Sequence, residues 1–487
     1  VLALTSATFI NFKMAALIRR WRKDRIIGID TLLVTSKVSS DSHIRCRSSS
    51  STLLNLLESR KRGLFENFFP DRVLELESLL SSPQSLYCGF DPTADSLHIG
   101  NLLSLIVLLH GQRAGHSPIA VVGGATALVG DPSGKTKDRI SMDAEEVENN
   151  VLAIMQNIDT VITNYSKFIY NDDKKLPEFR ILNNKDWYKD KDVISFLSTT
   201  GRHFRVSDMI ARHSVKSRLS SKEGMSCTEF LYQVFQAYDW LHLFEKYNCS
   251  LQVGGNDQMG NIASGYDLIH KVSRKPVFGL LVPLILSTDG QKLGKSAGNS
   301  MWLSPTKTSP YELFQYFFNM PDSVVERYLK LFTFLSLDEI ESVMEAQNKA
   351  LDQRHGQKKL AEQVTLLVHG DSGLASAQRC TEILFGDSVS ALTSMKLPEL
   401  LQLFKDAPTT EVIYRPELTV FELCRKIKCF QRDFEAEQII RAGGLYINQQ
   451  RVTQPENVLR DGDYILSTKL TLVRVGKKNY HIVKWCM

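Results

Sequence analysis

Paired cysteines are missing from this chain: its 487 residues hold eight cysteines, and no two stand in a CxxC arrangement. Scattered thiols argue against a disulfide framework and a thiolate zinc site, and they favour a reducing compartment. Histidines are dispersed too, with no HxxxH or HxE spacing, so no protein-held metal centre is expected. Long apolar runs are also lacking. The longest, Leu102 to Leu109, is interrupted by Ser104 and is far too short to span a bilayer, so no transmembrane helix is expected. Nor does charge of one sign dominate: 59 Lys and Arg against 54 Asp and Glu leave a formal net charge of +5. That balance permits a nucleic-acid partner without demanding one.

Acidic residues are scarce at the start. Residues 14–62 hold Asp24, Asp30, Asp41 and Glu58 against Arg19, Arg20, Arg22, Lys23, Arg25, Arg45 and Arg47, with a serine run at Ser48 to Ser51. An Arg- and Ser-rich, acid-poor leader fits a mitochondrial transit peptide; a disordered basic tail is the alternative. The leader is taken as 1–62, with residues 1–13, ahead of Met14, readable as untranslated sequence.

The length exceeds one hydrophobic core and implies two to four domains. From Leu86 to about Leu286, short apolar runs alternate with helical stretches, the pattern of a Rossmann-like α/β domain with a parallel sheet (63–288). Candidate strands Ile119–Val122 and Leu251–Val253 end in Gly123-Gly124 and Gly254-Gly255, where a backbone is expected to approach a ligand closely. Another strand is expected to end at Tyr87-Cys88, with a turn at Asp91-Pro92 and a helix opening near Gly100. A lysine-rich loop (289–299) follows the sheet. Ser309 as N-cap with Pro310 in the first turn starts a separate α-helical domain (300–410). A small α+β unit (411–487) closes the chain, with a helix near Thr419, Gly443-Gly444 and further short strands.

Chemistry concentrates in few segments. Helix N-termini welcome phosphate, and His98 stands where it would donate to one. Ser226-x-x-Glu229 has the form of a capping box. In the helix it starts, Tyr232, Gln236 and Asp239 fall at i, i+4 and i+7, on one face. A solvated face is the ordinary explanation for such a stripe. It loses here because Leu231, Val234, Phe235, Tyr238, Trp240 and Leu241 leave little polar surface elsewhere. Gly130 to Thr136 imitates a P-loop but has three residues between its glycines where four are needed.

Taken together, Tyr87 to Asn101, Gly123 to Thr126, Gly130 to Lys135, Tyr232 to Asp239, Gly254 to Gln258 and Lys292 to Ser296 resemble the signature regions of the class I tyrosyl-tRNA synthetases. The likeness runs from Gly63 to the C-terminus and is strongest with the animal mitochondrial branch. The resemblance implies tyrosine activation by ATP with Mg²⁺ accompanying the nucleotide, transfer to tRNA(Tyr) in the mitochondrial matrix, an S4-like RNA-binding C-terminal unit, an anticodon-side helical domain and a homodimer. It implies that Tyr87 and Asp239 hold the phenol hydroxyl, and that Asp131, Tyr232, Gln236 and Gln258 surround the α-amino group. It implies that Cys88, Asp91, Thr93, Gly100, Asn101, Ser104, Gly255 and Asp257 surround ATP. His98, Asn101, Lys135, Arg139, Lys292, Lys295 and Ser296 are then the catalytic set around the phosphates. Two positions depart from the commonest pattern: Asn101 replaces a second histidine, and Met259 replaces the tryptophan of many bacterial members.

Overall fold

The computed structural model describes residues 56–486 apart from 66, 134–141, 222–223, 285–299, 386–399, 402, 405–406, 431, 461–463, 467 and 477–478. Lys135, Arg139, Lys292, Lys295, Ser296 and the leader through residue 55 lie outside the described residues.

Six strands build the first sheet: β1 (Asn67–Phe69), β2 (Ser85–Phe90), β3 (Ser117–Val122), β4 (Arg180–Asn183), β5 (Cys249–Gly255) and β6 (Phe278–Val282). Their order is β1-β6-β5-β2-β3-β4, parallel throughout except for β1. Helix α1 (Val73–Leu80) precedes β2, α2 (Ile99–Arg113) links β2 to β3, and α3 (Ala144–Asn164) leads to β4. Then come α4 (Val193–Thr199), α5 (Val206–Ala211), α6 (His213–Leu219) and the long α7 (Cys227–Tyr247), with α8 (Met259–Ser273) between β5 and β6. The chain leaves β2 toward β3 on one side and places β5 on the other. The strand order therefore reverses between β2 and β5, and a crevice opens at their carboxyl ends.

Period-two alternation along β2 divides the sheet into two functional faces. Leu86, Cys88 and Phe90 pack into a cluster with Leu102, Leu105 and Ile106 of α2. Tyr87 packs on the opposite face with Ala237, Trp240 and Leu241 of α7. β2 continues two residues past the expected end at Cys88, because its pairing with β3 runs on to Phe90 and Val122.

The helical part comprises α9 (Pro310–Phe318), α10 (Asp322–Phe332), α11 (Leu337–Lys349) and α12 (His355–Phe385), the last broken at Gly370. Ser309 caps α9 as expected, with a complete box to Glu312 and Pro310 in the first turn. The helices are less separate than the sequence suggested. Leu313, Phe317, Leu329, Leu360 and Val364 share one apolar cluster with Leu105 of α2 and Phe65. The expected leader boundary at 62 also falls inside folded structure: Leu56 is buried. Arg62 donates to the carbonyls of Lys330, Thr333 and Leu335 at 3.0, 2.8 and 2.7 Å.

A second sheet, ordered β7-β11-β10-β8-β9, forms the C-terminal unit. Its elements are β7 (Thr409–Ile413), α13 (Val420–Lys426), α14 (Asp433–Arg441), β8 (Leu445–Ile447), β9 (Gln450–Val452), β10 (Leu470–Val475) and β11 (Asn479–Cys486). It begins at Thr409 rather than 411, because β7 pairs in parallel with the final strand. Five residues of TTEVI carry too weak a pattern to announce that long-range pairing. No described helix is long and apolar enough to cross a membrane.

Candidate active site

The cleft at the carboxyl ends of β2 and β5 has a volume of ≈ 480 Å³. Its walls include Tyr87, Cys88, Asp91, Thr93, His98, Asn101, Ser104, Asp131, Tyr232, Gln236, Asp239, Gly255, Asp257 and Gln258, drawn from six segments of the chain. Of the described candidates, Gly100 alone is not on this wall. Its amide is turned into the helix cap instead, donating to His98 Nδ1 at 3.1 Å.

That cap explains the first signature. His98 is the N-cap of α2, and its Nδ1 also accepts the Asn101 amide at 3.3 Å. Accepting at Nδ1 places the ring proton on Nε2. Asn101 completes the box, its Oδ1 accepting the His98 amide at 3.1 Å. The side-chain oxygen thus holds the helix start, and the Nδ2 amine remains a donor. On the same face of β2, burial pushes the Cys88 thiol up to about 12, with Ser104 opposing, so it stays a neutral S–H.

At the other end of the cleft, Asp239 is buried and accepts Trp187 Nε1 at 2.8 Å and Asn184 Nδ2 at 3.1 Å. Burial raises its carboxyl to about 7, against the lowering effect of those donors. Tyr87 lies beside it, and its buried hydroxyl has no hydrogen-bond partner among the described residues. Burial, then the Asp239 charge, hold that phenol well above its ordinary range. Trp240 braces the Tyr87 ring at 6.2 Å and donates to the Cys249 carbonyl at 3.1 Å. The Tyr188 hydroxyl also faces Asp239, and a carboxylate so held beside an unpartnered hydroxyl is a receptor for one more hydroxyl.

Between the two ends sits an acceptor-rich cluster. Asp131 accepts Gln258 Nε2 at 2.6 Å and the Ser133 amide at 2.9 Å. Asn261 Nδ2 lies 3.0 Å from Gln258 Oε1 and 3.1 Å from Gln236 Oε1. Tyr232 points its hydroxyl toward Asp91, 3.4 Å from Oδ1. A buried carboxylate among amide oxygens suits a cation such as an ammonium group.

One local expectation is corrected, and the glycine pairs do more than expected. Gly123, Gly254 and Gly255 line the cleft, and the pairs also make room for side chains of the protein itself: a Cβ on Gly123 would meet Asp91 Oδ1 at 2.9 Å and Thr126 Oγ1 at 2.6 Å. On Gly124 it would meet Asn183 Oδ1 at 2.4 Å, and on Gly255 Asp257 Oδ1 at 2.6 Å. Ser226 does cap α7 through the Glu229 amide, but the box stays half made. Glu229 instead forms a buried ion pair with Arg218 at 2.8 Å. Met259 packs against the cluster that holds Tyr87 and Trp240, on the opposite face of β2 from Cys88.

The residues missed in the sequence are Asn184, Trp187, Asn261 and Trp302. An Asn-Asn pair directly after a strand was the available signal for Asn184; Trp187 and Asn261 act only through tertiary contacts. Trp302 belongs to a strap that ties the start of the helical part to the first signature. The Ile99 amide donates to the Met301 carbonyl at 3.0 Å, and the Leu303 amide to the Leu97 carbonyl at 2.8 Å. Lys307 pairs with Asp95 and stands 4.7 Å over the Trp302 ring.

Comparison with known proteins agrees with this geometry. Residues 81–386 match the family model "tRNA synthetases class I (W and Y)", and residues 399–483 match "Tyrosine--tRNA ligase SYY-like C-terminal domain". The chain is 48% identical to the mitochondrial tyrosine–tRNA ligase of Homo sapiens over 437 residues, 88% of this chain and 91% of that protein. With the Drosophila melanogaster counterpart the identity is also 48%, over 88% of this chain and 94% of that one. A solved structure of C-terminally truncated Aspergillus nidulans mitochondrial tyrosyl-tRNA synthetase superposes with a TM-score of 0.62 at 31% identity, over 69% of this chain and 95% of that one. The chain belongs to the mitochondrial tyrosyl-tRNA synthetases of class I, ATP-dependent enzymes that join tyrosine to its tRNA.

Proposed function

We propose that the cleft binds tyrosine with its phenol between Tyr87 and Asp239 and its ammonium group against Asp131, Tyr232, Gln236 and Gln258. The observation that carries this reading is the pairing of a buried Tyr87 hydroxyl, unpartnered among the described residues, with the Asp239 carboxylate held by Asn184 and Trp187. Phenylalanine entering this pocket would leave both groups unanswered, which is the strongest form of discrimination a small site has. Indole fits less well, since it brings one donor and no phenol oxygen to accept from Tyr87.

ATP lies toward the start of α2, along Cys88, Asp91, Thr93, Asn101, Ser104, Gly255 and Asp257. The tyrosine carboxylate, already ionised, attacks the α-phosphorus and pyrophosphate leaves, so no general base is needed. Catalysis is positioning plus stabilisation of charge growing on the phosphates. His98 donates to them from Nε2, and Asn101 supplies a second donor where the commonest pattern has histidine. Lys135, Arg139, Lys292, Lys295 and Ser296, outside the described residues, complete the cationic surround. Mg²⁺ arrives with the phosphates; no group of three or more His, Cys, Asp or Glu suited to a metal occurs among the described residues.

The tyrosyl group then passes to the terminal ribose of tRNA(Tyr) in the mitochondrial matrix. The helical part contacts the anticodon side and the C-terminal unit binds RNA in an S4-like manner. Exposed Val193, Ile194 and Val206 on α4 and α5 supply an apolar face for a homodimer. Pyrophosphate exchange measured across the amino acids tests the central reading: exchange with tyrosine alone supports it, and exchange driven by tryptophan refutes it. Salt-dependent tRNA binding unchanged by deletion of residues 411–487 would refute the RNA role of the last unit.

A further inference from the structure

Helix α13 ends in a turn that sets two thiols side by side. Lys428 takes the left-handed conformation, φ 52°. The Cys429 amide donates back to the Cys424 carbonyl at 3.3 Å, and the Lys428 amide to the Arg425 carbonyl at 3.2 Å. These are the paired bonds of a Schellman cap, whose outer pair of side chains normally makes an apolar contact. Here both members of that pair are cysteines. Cys424 is buried and Cys429 half-buried. The Cys429 thiol lies 3.6 Å from the Cys424 carbonyl, so the cap brings the two cysteines together. The exposed cations Arg425, Lys426 and Lys428 surround the turn.

We propose that Cys424 and Cys429 form a reversible disulfide that tunes the tRNA affinity of the C-terminal unit. The tuning limb rests on the RNA-binding reading of that unit; the disulfide limb does not. The oxidant is a glutathione-type disulfide. The Cys429 sulfur, the more accessible, attacks it, forming a mixed disulfide and releasing one glutathione thiol. The Cys424 sulfur then attacks Cys429, expels the second glutathione thiol and loses its proton to water. Two protein thiols are oxidised and one glutathione disulfide is reduced. The contact with Cys429, and then burial, hold the Cys424 thiol up, so the second step is slow near neutrality and quickens as pH rises. Closing a thiol contact to an S–S bond of about 2.05 Å draws the basic turn inward.

Full-length protein equilibrated in glutathione buffers of rising oxidised fraction, alkylated and digested with trypsin tests both limbs. Peptides Asp406–Arg425 and Cys429–Arg432 are expected as one species, two hydrogens lighter than their sum and separated by dithiothreitol. Its formation should accelerate from pH 7 to about pH 8.5. Recovery of Cys429 as a glutathione adduct beside unmodified Cys424, or of both as free thiols at every ratio, overturns the disulfide. Oxidation should raise the KM for tRNA about threefold, the scale of one displaced surface cation contact, and leave tyrosine-dependent exchange unchanged. Cys429→Ser should be insensitive. A mapped disulfide with unchanged charging overturns the tuning limb alone, and equal loss in wild type and Cys429→Ser does the same.

Discussion

The two ends of the cleft solve opposite problems with opposite materials. The end proposed for the phenol is made of side chains that reach one another across the fold: buried Tyr87 from β2, Asp239 from α7 and Asn184 after β4, with half-buried Trp187. The end proposed for the nucleotide is centred on neighbours in sequence, His98 and Asn101, which build a complete helix cap. A pocket that must reject a missing hydroxyl needs desolvated, fully held partners. A site for a highly charged, hydrated ligand needs a dipole end and replaceable donors. Damage should therefore be severe and specific at the first end, and milder and partly structural at the second.

The largest break is expected from Asp239→Asn. One carboxamide oxygen cannot serve both Trp187 and Asn184, and its amine meets donors. A loss of about 2–4 kcal/mol, roughly 30- to 1000-fold in kcat/KM for tyrosine, follows, with the KM for ATP little changed in steady-state exchange assays. If ATP binding suffers equally, the two ends are not independent.

Next in size is pH. Because the Asp239 carboxyl is raised to about 7, tyrosine binding that needs its ionised form should weaken about tenfold per unit below that pH. The folded-state pKa lies above the unfolded one, so the stability this group contributes is full below about pH 4 and is lost as pH rises through about 7. Tyrosine binding and stability thus move in opposite directions with pH. Trp187→Phe removes a donor that lowers this pKa and should shift the bend in a pH profile of kcat/KM upward. A downward shift would sink the assignment.

Tyr87→Phe should cost about 1 kcal/mol, near fivefold in kcat/KM for tyrosine. It strands no group among the described residues, since the hydroxyl has no partner there to lose. Melting temperature should stay level, and a drop would show a structural role instead. The smallest effect is at the nucleotide end. Asn101→Ala removes one arm of the box and should cost about 1 kcal/mol in denaturant unfolding. Asn101→His should change the adenylation rate only modestly, and a gain of several orders of magnitude would refute Asn101 as an equivalent donor.

What could be read before folding divides along the same line. The His98 cap region, the α7 stripe of Tyr232, Gln236 and Asp239 on the cleft wall, the parallel sheet and the Ser309-Pro310 start were legible, because each rests on residues close together within one helix, one strand or one cap. The cluster of signature segments also sufficed to assign the family. Tertiary structure alone decided the rest. Asn184 and Trp187 hold Asp239 across more than fifty positions, and β7 pairs with β11 across more than seventy. Glu229 left its cap for Arg218 because a buried cation needs a counter-charge more than a helix start needs a second arm. The helical part merged with the sheet because apolar faces bury against whatever neighbours them in space, and sequence periodicity names the face but not the neighbour.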